Sequence, residues 1–115
     1  MVRILNESTG AVLAEDARIA RNVISRTRGL MFRTSLASGE ALVIDPCSSI
    51  HMMWMFMPID AVFYNRESVV TKVARNLKTW VGLARGGKGA RSVIEVRAGD
   101  AAGVEPGHQL RFHED

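Results

Sequence analysis

The sequence predicts a mainly β protein: a small single-domain β-barrel or sandwich of short, mostly antiparallel strands with one or two short helices. Short apolar runs recur along the chain, as in Ala41–Ile44, Ile59–Tyr64 and Ser92–Val96. Ten glycines and clustered turn residues punctuate them, and that spacing fits strands better than a helix bundle. A chain of 115 residues suits one domain, residues 1–115, large enough to bury a core without disulfides.

Val2–Leu5 is a first short apolar run, and Glu7-Ser8-Thr9-Gly10 reads as a turn. Ala11–Ala20, with Val12, Leu13 and Ile19, is read as extended. Ser25–Phe32 is the helix candidate, with the Ser25 hydroxyl as its cap. Gly29 within it weakens a helix by about 1 kcal/mol relative to alanine. Ala41–Ile44 is a buried strand that stops at Asp45-Pro46. Ile50–Met57 and Ile59–Tyr64 follow as strands, then a turn at Asn65-Arg66-Glu67, and Ser68–Ala74 completes a hairpin. Trp80–Ala90, with four glycines, reads as a loop. Ser92–Val96 is a strand, Ala98–Val104 holds one helical turn, and Gln109–Phe112 is the last strand.

The stretch Cys47–Tyr64 is the most informative. Side chains alternate along a strand, so His51, Met53, Met55 and Met57 would share one face and Met52, Trp54 and Phe56 the other. Both faces are apolar, which predicts a strand covered on both sides. Pro58 cannot donate to a ladder and marks an edge, bulge or bend. Asp60 sits among apolar neighbours and needs a partner, with Arg28, His51 or backbone amides as candidates.

Thioethers, imidazole and the Cys47 thiol are suitable Cu(I) ligands, but methionine also fills cores, and core packing is the favoured reading. One cysteine and three histidines match no zinc-finger spacing. No cofactor or metal is therefore expected. Cys47 and His51 could act as nucleophile and base, though a lone cysteine is more often a small buried apolar residue.

Arg85-Gly86-Gly87-Lys88-Gly89-Ala90-Arg91 joins three cations to three glycines, a composition suited to an anion, without the Walker A spacing. Trp80 just before it is suited to stacking on a ring or to anchoring a core. Twelve of the fifteen cations are arginine, and the net charge is only +3. A solvated mixed-charge surface is favoured over a nucleic-acid face.

With a single cysteine, no internal disulfide can form. No run approaches the roughly 18 apolar residues of a membrane span. The N-terminus shows no signal-peptide core, so a cytoplasmic location is expected, with export as the alternative if a leader has been removed.

A family resemblance rests on Arg28-Gly29-Leu30-Met31-Phe32-Arg33, on Pro46-Cys47-Ser48-Ser49-Ile50-His51, and on Met55 with Pro58-Ile59-Asp60 and Phe63. Val93-Ile94-Glu95-Val96, Ala98-Gly99 and Pro106-Gly107 extend it over nearly the whole chain. These segments resemble domain-of-unknown-function family 192. The resemblance implies a small β-barrel or sandwich with short helices and supplies no reaction. Where many relatives carry threonine after the histidine, this chain has Met52.

The function expected is a non-enzymatic binding module for a small polar or anionic ligand. Arg28, His51 and Asp60 are its leading site residues, with Cys47 and Trp80 as further candidates. The alternatives are a Cys/His-dependent enzyme and a nucleic-acid-binding or regulatory protein.

Overall fold

The computed structural model describes residues 2–114 except 23, 24, 27, 28, 31, 32 and 53. The described residues form nine strands: β1 Val2–Asn6, β2 Ala11–Ala20, β3 Glu40–Ile44, β4 Ser49–His51, β5 Ile59–Tyr64, β6 Val70–Leu77, β7 Leu83–Arg85, β8 Ser92–Arg97 and β9 Leu110–Glu114. Seven join one curled sheet in the order β6-β5-β8-β3-β2-β1-β9, and β4 pairs with β7 as a separate ribbon. Only β2 and β3 run parallel among the paired strands. The outer strands of the sheet meet at a Val69–Gln109 bridge. The fold class read from the sequence holds.

The central strands bury both faces. Val62 and Tyr64 of β5, Ile94 and Val96 of β8, and Ala41 and Val43 of β3 face the inside of the curl. Ile59, Ala61, Phe63 and Val93 face outward into a second core. That second core is roofed by Ile50 and Ala84 of the ribbon and filled by Met52, Met55, Met57, Leu30 and Leu36. Methionine suits this irregular space because its side chain is flexible and polarisable.

Four local expectations change. The Ile50–Met57 strand stops at His51, because the Met52 backbone turns to hold the next loop. Met52 N–H donates to Gly82 O at 2.9 Å, and Met52 O accepts from Trp80 N–H at 2.8 Å and from Met55 N–H at 3.0 Å. Trp54 then takes φ +65°, which no strand permits. Simple alternation therefore fails: Met52, Met55 and Met57 are buried, whereas Trp54 and Phe56 are exposed. The predicted loop Trp80–Ala90 contains strand β7. Residues 98–103 form successive turns closed by i→i−3 bonds, such as Asp100 N–H to Arg97 O, and no helix.

Of the helix expected at Ser25–Phe32, residues 27, 28, 31 and 32 lie outside the described set, and residues 25 and 26 are helical. The cap is Asn22 rather than Ser25: Asn22 Oδ1 accepts from Ser25 N–H at 2.8 Å. Among the described residues no helix is long and apolar enough to cross a membrane.

Candidate functional site

Two open pockets meet beside the ends of β3 and β5 and the start of β8. The larger, about 690 Å³, lies between Pro46-Cys47-Ser48, the turn 65–67 and Gly89-Ala90-Arg91. The smaller, about 310 Å³, has an apolar floor of Val2, Ile19, Val43 and Phe112. Asn65, Arg66 and Arg91 line both.

Backbone bonds explain why these distant segments converge. Cys47 N–H donates to Arg91 O at 2.6 Å, Arg91 N–H to Tyr64 O at 2.9 Å, and Gly86 N–H to Ser48 O at 2.8 Å. The basic glycine loop is thus tied to the Cys47 segment and to the end of β5. Gly86 is required by close approach, since a Cβ there would lie 2.6 Å from Phe63 Cδ1 and 2.5 Å from Ala90 Cβ. Gly87 and Gly89 take φ +83° and +82°, the left-handed region that glycine enters without penalty.

The smaller pocket carries a short polar relay. Ser92 Oγ donates to Asp45 Oδ1 at 2.5 Å. Burial pushes the Tyr64 phenol up to about 12, opposed by its hydrogen bond with Ser92; Asp45 adds to the rise, and Arg21 and Arg91 counter it. Tyr64 is therefore a neutral hydroxyl at physiological pH. Its ring packs on Phe112 at 5.3 Å. Arg91 Nε stands 4.0 Å from Asp45 Oδ1, and Glu67 and Glu114 also lie on the pocket walls.

Of the residues singled out from sequence, Cys47 lines the larger pocket. Its thiol donates to Ser49 O at 3.0 Å, and burial pushes its pKa up, with the Ser49 bond opposing. An activated nucleophile needs the opposite shift. His51 stands on the outer face of β4, opposite Leu83 of β7. Arg28 lies outside the described residues.

Asp60 is buried, and its carboxylate accepts three backbone amides: Asn76 at 2.8 Å, Gly99 at 2.9 Å and Ala101 at 3.1 Å. Asn76 sits at φ +52° in a bulge of β6 opposite Asp60. The carboxylate so joins that bulge to the turns after β8. Neither His51 nor Asp60 lines the two pockets. Trp80, at φ +70°, packs against Trp54 and Phe56 in tilted and edge-on arrangements, with ring centroids 5.0 and 5.8 Å away.

Sequence reasoning missed Arg66 and Glu95. Arg66 reads as an ordinary turn residue until β5–β8 pairing brings its turn to the glycine loop. Glu95 carried a visible signal, a carboxylate inside the apolar run Val93–Val96. It is buried, its Oε1 lacks a hydrogen-bond partner among the described residues, and burial pushes its pKa up to about 7.

Two solved structures share the fold. A protein of unknown function from Novosphingobium aromaticivorans is 25% identical, with a TM-score of 0.82 over 96% of this chain and 82% of that one. A protein from Sinorhizobium meliloti described as a "putative transcription regulator" is 22% identical, with a TM-score of 0.80 over 96% of this chain and 91% of that one. No curated protein matches the chain significantly. The family model for DUF192, described as "Uncharacterized ACR", matches residues 4–112. The chain belongs to that family, domain-of-unknown-function family 192.

Proposed function

We propose that this protein is a binding module for a small organic anion, seated at Arg66 and Arg91, which the two pockets share. The observation that carries this reading is that both arginines line both pockets. A guanidinium presents a planar fork to a carboxylate or phosphate, and two forks at one seat outweigh a single surface cation. The apolar floor of Val2, Ile19, Val43 and Phe112 suits a compact apolar group attached to the anion. The Tyr64 and Ser92 hydroxyls supply neutral polar contacts between the two. Of the residues singled out from sequence this seat keeps Cys47, as part of its wall. It leaves Asp60 to its three amides.

Calorimetry and amide-shift titration with benzoate, acetate and inorganic phosphate test the proposal. Benzoate is expected to bind more tightly than acetate and to move the amides of residues 65–67 and 89–91. Replacing both arginines, Arg66→Gln with Arg91→Gln, is expected to weaken binding about 10- to 100-fold for each guanidinium removed. The fold should survive, because both side chains are exposed and an exposed pair such as Arg91–Asp45 is worth less than about 1 kcal/mol. If no anion moves those amides, the proposal fails.

A further inference from the structure

Around the His51–Leu83 end of the ribbon, five large apolar side chains are exposed to solvent. Trp54 and Phe56 are each 45% exposed, Trp80 44%, Val81 78% and Leu83 64%. They come from two turns stitched through the Met52 backbone, and Gly82 N–H closes the second turn on Lys78 O at 3.0 Å. Gly82 must lack a side chain, since a Cβ would lie 2.6 Å from Met52 Cγ and 2.8 Å from Lys78 O.

Both tryptophans are held in the left-handed region, at φ +65° and +70°. Bulky residues rarely adopt it, and such strain clusters where a surface acts on something else. Exposed large apolar and aromatic side chains gathered at one place are the kind of surface that acts on a partner.

Charge says which kind. From Ser68 to Ile94 the chain has six cations, Lys72, Arg75, Lys78, Arg85, Lys88 and Arg91, and no carboxylate. Residues 46–59 also lack acids. Arg75 is engaged with Glu105 and Arg91 with Asp45, while Lys78, Arg85 and Lys88 are exposed. Lys78 lies two residues before Trp80, and Arg85 follows Leu83 by two on the same exposed face of β7, so the charges nearest the apolar tip along the chain are cations.

We propose that this tip docks on an anionic lipid bilayer. Trp54, Phe56, Trp80, Val81 and Leu83 enter the boundary between headgroups and acyl chains, where tryptophan is favoured. Lys78 and Arg85 lie against the anionic headgroups. A second copy of the chain fits less well, because a two-fold pairing would set Lys78 and Arg85 of one copy near those of the other. Single-stranded nucleic acid fits less well too. Trp54 and Trp80 are tilted by 59°, so they offer no common stacking plane, and the most exposed members are aliphatic.

The test is co-sedimentation and tryptophan emission with phosphatidylcholine vesicles, with and without about one-third phosphatidylglycerol. Association and a blue shift are expected on the anionic vesicles only, weakening at least tenfold when salt rises from roughly 0.1 to 0.5 M. The double variant Val81→Asp with Leu83→Asp is expected to lose at least tenfold in association while its circular dichroism stays unchanged. No association with anionic vesicles overturns the proposal. So does oligonucleotide binding or self-association that the double variant abolishes, if vesicle binding is absent.

Discussion

Glu95 is the residue that fits its surroundings least. It lies in β8 between Val93 and Val96, opposite Ala61 and Leu42 on the neighbouring strands. Its Oε1 finds no hydrogen-bond donor among the described residues, and burial holds it protonated up to about pH 7. The sign of its effect on stability follows. Below about pH 4.5 the carboxyl is neutral in both folded and unfolded chains, and it costs no charge burial. As pH rises toward 7, the unfolded chain ionises first, and stability falls through that window. Above it the loss levels off at about 3 kcal/mol. Glu95→Gln keeps the shape and removes the titration. Urea unfolding across pH should show the variant near wild type at about pH 4 and up to about 3 kcal/mol more stable at about pH 8. Equal pH profiles for the two proteins would contradict this account. Asp60, also buried, has all the partners that Glu95 lacks: three backbone amides donate to its carboxylate, so its role in holding the β6 bulge needs no ligand.

At the scale of elements, the long strands were legible and the ribbon was not. β3, β5 and β8 announce themselves because apolar residues run across both faces of each. β4 and β7 have three residues each, too few for a period to register. The run from His51 to Met57 has strand composition throughout, yet Trp54 leaves the strand region, and composition carries no sign of φ. Half of the candidate site was legible for the same kind of reason. Cys47 and the Arg85–Arg91 loop stand out by residue type, whereas Arg66 matters only through which turn the β5–β8 pairing sets beside that loop. The loop's position depends on Gly86, whose place against Phe63 admits no Cβ. Gly86→Ala should force Phe63 or the loop to shift and cost about 1–3 kcal/mol, seen as a melting point lowered by about 4 °C or more. Gly103→Ala is the control: nothing lies within 4 Å of its added Cβ, so the change should stay within about 0.5 kcal/mol.

The whole molecule is a curled sheet whose two outer strands are joined at one place, and no property of either strand alone reveals that joint. β6 and β9 are separated by more than thirty residues of chain and meet because the intervening strands twist the sheet back on itself. The joint consists of the Val69–Gln109 bridge and three backbone bonds: Val70 N–H to His108 O at 2.9 Å, Gly107 N–H to Val70 O at 2.8 Å, and Leu110 N–H to Ser68 O at 2.9 Å. One side chain reinforces it. The Gln109 amide nitrogen donates to Glu67 O at 2.8 Å, with Ser68 O and Leu110 O also within reach. It therefore ties the turn beside Arg66 to the start of β9. An open sheet would expose two edges, and a closed joint hides the backbone groups at their meeting point. Gln109→Ala removes the side-chain tie and leaves the backbone bonds in place. The expected cost is about 1–2 kcal/mol, concentrated at the joint. Amide hydrogen exchange should accelerate at Val70 and Leu110, while Val62 and Ile94 in the central strands keep their protection. Because the same tie holds the turn that carries Arg66, benzoate affinity should fall in this variant even though both arginines remain. Faster exchange spread evenly over all strands would instead mean that the joint has no separate role and that the sheet opens only as a unit.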